Sequence, residues 1–156
     1  MGTRSPRRKL DQAVGCRERD PEAPAPRVFE DGGQIRDLVH VSDVVAATLA
    51  AIDAPTAPGH AINVATGHRV TILDLACATA RALGSELEPD VTGEFRAGDI
   101  RHCFADTACA RELLGFHAAR TLAEGLPELA EWVARQSVGE RSEEAVSDLR
   151  SRGLVG

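Results

Sequence analysis

The chain has 156 residues, of which 43% are hydrophobic and 27% charged, and its formal net charge is −6. This length suits a single domain that buries about two-thirds of the surface of its unfolded form, and the composition excludes a wholly disordered chain and a coiled coil. The negative charge gives no general attraction for nucleic acid or anionic membranes, and no apolar run spans a bilayer or forms a signal peptide, so we predict a cytoplasmic protein.

The first 26 residues combine arginine, proline and charges of both signs with few apolar side chains. Such a segment cannot bury enough apolar surface to offset the entropy of ordering, so we predict a disordered tail over 1–26. A basic arm around Arg7, Arg8 and Lys9 is the alternative, although acidic residues follow it closely.

Residues 27 to 29 and 34 to 41 are strand candidates because of their β-branched and aromatic content. Asp31-Gly32 lies between them and predicts a hairpin, since glycine tolerates positive φ. Ser42 is expected to cap the helix that follows, in which apolar residues recur at helical spacing until Pro55 ends it.

A short strand over 60–65 should lead to a turn at Thr66-Gly67. Thr71 and Asp74 then form a pair like a capping box, which predicts a helix that ends before Gly84. The residues after Gly84 contain too many turn formers for a helix, and we expect a loop followed by a strand over 99–105.

Asp106 is expected to cap a short helix that Gly115 closes. Thr121 and Glu124 make a second capping box, and they predict a further amphipathic helix. Pro127 requires this helix either to kink or to restart, because proline lacks the amide donor. Residues 136–156 are polar with one weak helical stretch, and we predict a flexible C-terminal tail.

Two pairs of arginine and aspartate are candidates for an anion site. Arg36 is followed directly by Asp37, and Arg96 precedes Asp99 in the sequence FRAGD. A guanidinium suits bidentate contacts to phosphate, and a neighbouring carboxylate could orient it or bind a hydroxyl group. Two arginines that converge from separate loops would clamp a diphosphate, whereas exposed pairs of this kind are often merely solvated.

Other reactive residues have simpler explanations. His40 could act as a general base, yet its place between Val39 and Val41 favours a structural histidine. His102 and Cys103 are neighbours on a predicted strand, where their side chains point to opposite faces. The four cysteines form no C-x-x-C pair and no metal spacing, so we expect neither metal ligands nor a disulfide framework.

The chain has no G-x-G-x-x-G, G-x-x-G-x-x-G or G-x-x-x-x-G-K-[ST] loop, so it carries no recognisable cradle for nucleotide phosphates. It also has no tyrosine, and Lys9 is its only lysine. Chemistry that needs tyrosine and lysine together cannot be completed by this polypeptide.

Four motifs in order resemble the C-terminal half of the extended short-chain dehydrogenases/reductases, in particular the NAD-dependent epimerases and dehydratases of nucleotide sugars such as the UDP-glucose 4-epimerase group. The motifs are VFEDGGQIRDLVHVSDVVAA, INVATGHRVTILDLA, FRAGDIRHCFADTACARELLGF and TLAEGLPELAEWV. They cover residues 27 to about 135. The resemblance implies a mixed α/β fold that is the C-terminal substrate-binding portion of the family fold, without its N-terminal Rossmann half.

The resemblance also implies roles for particular residues. Arg36 and Arg96 match arginines that contact the diphosphate of the nucleotide sugar, and Asp99 matches an aspartate associated with the ribose. Asp37, His40 and Asp43 match positions that we assign to the scaffold.

The family binds NAD through its glycine-rich Rossmann turn and performs its chemistry with a Y-x-x-x-K pair, and this chain has neither motif. We therefore expect a truncated product that binds UDP- or dTDP-sugars weakly and is inactive alone. The alternatives are a non-enzymatic module that self-associates or pairs with another chain, and a half that complements a separate Rossmann-domain chain.

Overall fold

Five helices and five two-residue strands form the part of the chain that the structure, a computed structural model, describes: residues 25–135 and 142–156. The strands are β1 (Arg27–Val28), β2 (Ile35–Arg36), β3 (Val70–Thr71), β4 (Asp90–Val91) and β5 (His102–Cys103). The helices are α1 (Val41–Asp53), α2 (Ile72–Ala82), α3 (Ala108–Leu114), α4 (Leu122–Arg135) and α5 (Ser142–Ser151). The fold is mixed α/β, as the sequence predicts. Except for Ala25 and Pro26, the predicted disordered tail lies outside the described residues.

The strands form two small sheets. In the larger sheet β2 is central, antiparallel to β3 and parallel to β5, so Arg36 lies opposite both Val70 and Cys103. In the smaller sheet β1 pairs in parallel with β4. Segments that are distant in sequence therefore meet at β2, and this places Arg36 at the centre of the larger sheet.

The predicted hairpin between β1 and β2 is wrong, although its turn forms. The amide of Gly32 donates to the carbonyl of Phe29 at 3.2 Å, and Gly32 has φ +72°. The two strands on either side of this turn nevertheless belong to different sheets. The turn redirects the chain, and each strand finds its partner more than thirty residues away.

Helix α1 begins earlier than the sequence predicts. Its cap is His40 rather than Ser42, because the Nδ1 atom of His40 accepts the amide of Ser42 at 3.2 Å. Asp43 is buried, and its carboxylate accepts the amide of Arg120 at 3.0 Å. Asp43 therefore joins the first turn of α1 to the segment before α4, in addition to lying where a helix favours negative charge.

Thr71 and Thr121 both cap their helices as predicted, and at Thr121 the reciprocal bond of a capping box also forms, since its amide donates to Glu124 at 2.9 Å. The hydroxyl of Thr71 accepts the amide of Asp74 at 3.0 Å, and the hydroxyl of Thr121 accepts the amide of Glu124 at 3.3 Å. Pro127 lies inside α4 without splitting it. Proline leaves the carbonyl of Ala123 without its usual donor, and both residues are exposed, so water can satisfy that carbonyl.

The core is built mainly from small residues. Ala47 of α1, Ala110 of α3 and Phe116 are buried together, and Ile62 and Val64 pack against them. Residues 60–65 form no strand, contrary to the sequence prediction, because their backbone pairs with no other described strand even though their side chains reach the core. None of the helices in the described ranges is long and apolar enough to cross a membrane.

Helix α5 coincides with the weak helical stretch predicted within the C-terminal tail, and residues 136–141 of that predicted tail lie outside the described residues. After the helix, Val155 forms an antiparallel bridge with Arg96, which the sequence did not predict. Arg150 of α5 also forms an ion pair with Glu94 at 2.6 Å. Residues 142–156 thus return to the body of the fold, through backbone pairing that composition alone does not reveal.

Candidate functional site

Three hydrogen bonds hold the side chain of Arg36 at the centre of the larger sheet. Its Nη1 atom donates to the carbonyls of Ile35 at 2.8 Å and of Arg101 at 3.4 Å, and its Nη2 atom donates to Asp99 at 2.9 Å. The side chain of Arg36 is 24% exposed. These contacts fix the plane of the guanidinium while one part of it still faces solvent.

Arg96 meets Arg36 at the same carboxylate. The Nη2 atom of Arg96 donates to Oδ2 of Asp99 at 3.0 Å, while Arg36 occupies Oδ1. The three residues predicted as a site from the sequence therefore lie together, and we call them the Arg36–Asp99–Arg96 triad. The triad carries a net positive charge, because two guanidinium groups share one carboxylate.

The electrostatics of the triad favour an ionised carboxylate. The hydrogen bond from Arg96 lowers the pKa of Asp99, burial opposes this, and the charges of Arg96 and Arg36 lower it further. Asp99 therefore stays negative throughout the physiological range and keeps both guanidinium groups aligned.

The neighbouring aspartate does a different job from the one that the sequence pairing suggested. Asp37 lies directly after β2, and its carboxylate faces the turn at Thr66-Gly67 rather than Arg36. Its carboxylate instead accepts the amide and the hydroxyl of Thr66 at 2.9 and 2.6 Å, and the amide of Gly67 at 2.9 Å. Asp37 thus fixes the turn before β3, which agrees with its assignment to the scaffold.

Two contributors to this region were missed from the sequence. Phe29 lies beside the triad, with the guanidinium of Arg96 5.2 Å from its ring centroid. Arg101 forms ion pairs with Glu30 at 2.7 Å and with Asp31 at 2.6 Å, which joins the turn to β5. The sequence signal for both is weak: Phe29 reads as an ordinary strand residue, and Arg101 follows the more conspicuous FRAGD.

The other candidate residues, His40, His102 and Cys103, are not arranged for catalysis. The Nδ1 atom of His40 lies 2.7 Å from the hydroxyl of Ser42, and its Nε2 atom lies 3.6 Å from Glu128. His102 and Cys103 are adjacent on β5 and both exposed. Within residues 25–135 and 142–156, no group of three His, Cys, Asp or Glu side chains is arranged to hold a metal ion.

A separate apolar groove lies between the start of α1, helix α2 and helix α4. Its volume is about 730 Å³, and neither arginine of the triad lines it. Several large apolar side chains line it, including Leu38, Val41, Leu75, Leu129 and Trp132. Val41, Leu129 and Trp132 are each more than half exposed. The outer face of α1 continues this apolar surface, since Leu49 and Ile52 are 58% and 74% exposed.

Comparisons with known proteins agree with this architecture. The NAD dependent epimerase/dehydratase family model matches residues 2–65, and so it begins well upstream of residue 27, where the sequence motifs start. A UDP-glucose 4-epimerase from Mycolicibacterium smegmatis is 37% identical over 111 residues, which are 71% of this chain and 35% of that protein. A dTDP-L-rhamnose 4-epimerase from Burkholderia thailandensis is 33% identical over 109 residues, 70% of this chain and 30% of that protein.

Solved structures give the same result. A UDP-glucose 4-epimerase from Thermotoga maritima, solved with UDP-glucose, superposes with a TM-score of 0.66 at 29% identity, over 80% of this chain and 37% of that one. The enzyme from Bifidobacterium longum, in complex with NAD+ and UDP, superposes with a TM-score of 0.63 at 28% identity, over 81% and 38%. The chain thus spans about a third of the length of the curated relatives it matches. It belongs to the NAD-dependent epimerase/dehydratase family.

Proposed function

We propose that the chain supplies the nucleotide-sugar-binding surface of an NAD-dependent epimerase or dehydratase, with Arg36 and Arg96 as its diphosphate contacts. The observation that carries the proposal is the meeting of two guanidinium groups within 3.0 Å of the one carboxylate of Asp99. Arginine presents five N–H donors, so each guanidinium keeps donors for phosphate oxygens while it holds Asp99.

The surroundings of the triad support this ligand class. Arg96 is 47% exposed, so a ligand in solvent can reach it without displacing the core. The ring of Phe29 adds an aromatic surface beside Arg96, which suits a flat nucleobase. UDP- and dTDP-sugars combine a diphosphate with such a base, and the relatives from T. maritima and B. longum were solved with UDP-glucose and with UDP.

The described residues do not fit NAD itself. The nearest candidate for a glycine-rich phosphate loop is Gly32-Gly33, yet it leads into β2 rather than a helix. The space over Gly32 is filled by Leu73, and the space over Gly33 is filled by Arg101, each within 2.9 Å of an added Cβ. Gly32 and Gly33 therefore leave no room for a phosphate group, and the role that we propose for the described residues is binding of the nucleotide sugar.

Titration calorimetry with UDP tests the proposal. We expect weak but saturable binding, because Arg96 is 47% exposed and the surface of the triad is open to solvent. Arg36→Gln and Arg96→Gln should each weaken binding by about tenfold or more, since each removes charge-assisted hydrogen bonds. Arg152→Gln is the matched control, because the side chain of Arg152 forms its ion pair with Asp148 of α5. Equal UDP affinity in all four proteins, with unchanged helical content, would refute the assignment.

A second candidate function is association with another chain through the apolar groove and the outer face of α1. The observation that favours it is the continuous exposure of Val41, Val45, Leu49 and Ile52, since large apolar patches mark interaction surfaces. The occupant that we propose is a Rossmann domain, because the relatives extend for about two-thirds of their length beyond the part that this chain matches.

Light scattering separates the two candidates. A Leu49→Lys/Ile52→Lys double variant should lose association with an added Rossmann-domain chain and keep its UDP affinity, because neither residue lies at the triad. Self-association that this variant abolishes would assign the surface to a second copy instead. A wild-type protein that stays monomeric and binds no such chain would remove this candidate.

A further inference from the structure

Residues 154–156 pair directly with the segment that carries Arg96. The amide of Phe95 donates to the carbonyl of Gly156 at 2.7 Å, and the amide of Gly156 donates back to Phe95 at 3.1 Å. The amide of Ala97 donates to the carbonyl of Leu154 at 2.8 Å. Arg96 thus lies opposite Val155, between two hydrogen-bonded positions of a short antiparallel ladder.

Helix α5 holds this short strand in place. The amide of Leu154 donates to the carbonyl of Leu149, and Gly153 has φ +66°, so the chain turns sharply out of the helix into the strand. Arg150 adds an ion pair to Glu94 at 2.6 Å, and Glu94 also binds Arg27 of β1 at 2.8 Å. The C-terminal segment is therefore attached before Arg96, at Glu94 and Phe95, and after it, at Ala97.

The segment around Arg96 needs such support. It has no place in either sheet, and it ends at Gly98, which has φ +83° and open space around it. The side chain of Arg96 is 47% exposed, and its guanidinium meets Asp99 on one side and the ring of Phe29 at 5.2 Å. Its contact with Asp99 depends on where the backbone holds it.

We propose, on the basis of the proposed function, that residues 154–156 are positioning residues for Arg96. By pairing with Phe95 and Ala97 they hold the guanidinium against Asp99 and beside Arg36, and so they complete the triad for a nucleoside diphosphate. They act through Arg96 and do not themselves touch the ligand.

Two variants of the full chain test this proposal. A deletion of residues 154–156 removes the whole ladder, and Gly156→Pro removes only the amide that donates to Phe95, so it serves if the deletion impairs folding. The first readout is the pKa of Asp99, measured by carbon NMR, which should rise in both variants because Arg96 no longer holds the carboxylate. The second is UDP affinity by calorimetry, which should fall about fivefold in the deletion variant.

A double-mutant cycle shows whether the effect passes through Arg96. In an Arg96→Gln background the deletion should cause no further loss of UDP affinity. Arg152→Gln, in the turn between α5 and the ladder, is the control, because the side chain of Arg152 bonds to Asp148 of α5. An unchanged pKa of Asp99 in both variants, or an equal loss of affinity in the Arg96→Gln background, would overturn the inference. If the pKa of Asp99 rises in the variants but the wild-type protein binds no UDP, residues 154–156 do position Arg96, and the proposed nucleotide-sugar binding is wrong.

Discussion

Replacing Asp37 by asparagine tests how firmly the turn at Thr66-Gly67 is joined to β2. In the native protein one carboxylate oxygen accepts both donors of Thr66, and the other accepts the amide of Gly67. Asparagine keeps one acceptor oxygen, so its amide group must face at least one backbone N–H. The substitution therefore loses one charge-assisted bond and weakens the other two.

A hydrogen bond to a charged group contributes about 1.5–3 kcal/mol. Because Gly67 is exposed, water partly replaces the lost bond, and we expect the free energy of unfolding to fall by about 2 kcal/mol. Urea unfolding followed by circular dichroism should show the midpoint about 1 M lower for Asp37→Asn at pH 7. Glu88→Gln, on the exposed loop before β4, is the matched control and should leave the midpoint unchanged.

The pH dependence of this difference has a definite sign. Burial acts to raise the pKa of Asp37, but the hydrogen bonds from Thr66 and Gly67 outweigh it and hold the pKa below its usual value. A carboxylate with a lowered folded pKa stabilises the fold above its unfolded pKa, and that contribution disappears as the pH falls through the folded pKa. The gap between wild type and Asp37→Asn should be constant from pH 7 to 5 and narrow below about pH 4. A gap that does not change with pH, or no gap at pH 7, would refute this account of Asp37.

Three further substitutions test local features of the fold by the same unfolding assay. Gly32→Ala should lower the free energy of unfolding by about 2–4 kcal/mol, since Gly32 has φ +72° and an added Cβ would lie 2.9 Å from the Cβ of Leu73. A loss below about 1 kcal/mol would contradict this close packing. Thr71→Ala should cost about 1 kcal/mol through the lost cap of α2, and Thr71→Ser should restore it, so equal stability of the three proteins would count against the capping role. Glu30 has φ +54°, which strains the backbone of any residue except glycine. Glu30→Gly and Glu30→Ala both lose the ion pair to Arg101, but only the glycine variant relieves this strain, so it should be about 1 kcal/mol more stable. A more stable alanine variant would show that the backbone is not strained there.

Local features of the sequence predicted local structure well. The helix caps at Thr71 and Thr121 form because their partners lie three residues away, within one helical turn. Strand pairing could not be predicted in the same way. The turn at Gly32 looked like a hairpin, but β1 and β2 take partners far along the chain, and no local pattern encodes that choice.

At the candidate site, too, the sequence predicted the residues but not their long-range partners. The sequence identified Arg36, Arg96 and Asp99, but it paired Arg36 with Asp37 because the two are adjacent. In the structure Arg36 donates to Asp99, whereas the carboxylate of Asp37, just after β2, bonds to the turn at Thr66-Gly67. The ladder between Arg96 and Val155 had no sequence signal, because a polar C-terminal stretch reads as a tail whether or not its backbone finds a partner.

Strands only two residues long have a consequence for amide hydrogen exchange. Each ladder protects few amides and its ends lie close to solvent, so exchange should be slow in α1 and α2 and fast around β2, β5 and residues 95–97. The backbone beneath the two arginines would then open more often than the helices that flank it. A diphosphate ligand that bridges Arg36 and Arg96 should slow exchange at these amides first, which makes a deuterium-uptake map of UDP-bound protein a sensitive view of where the ligand lies.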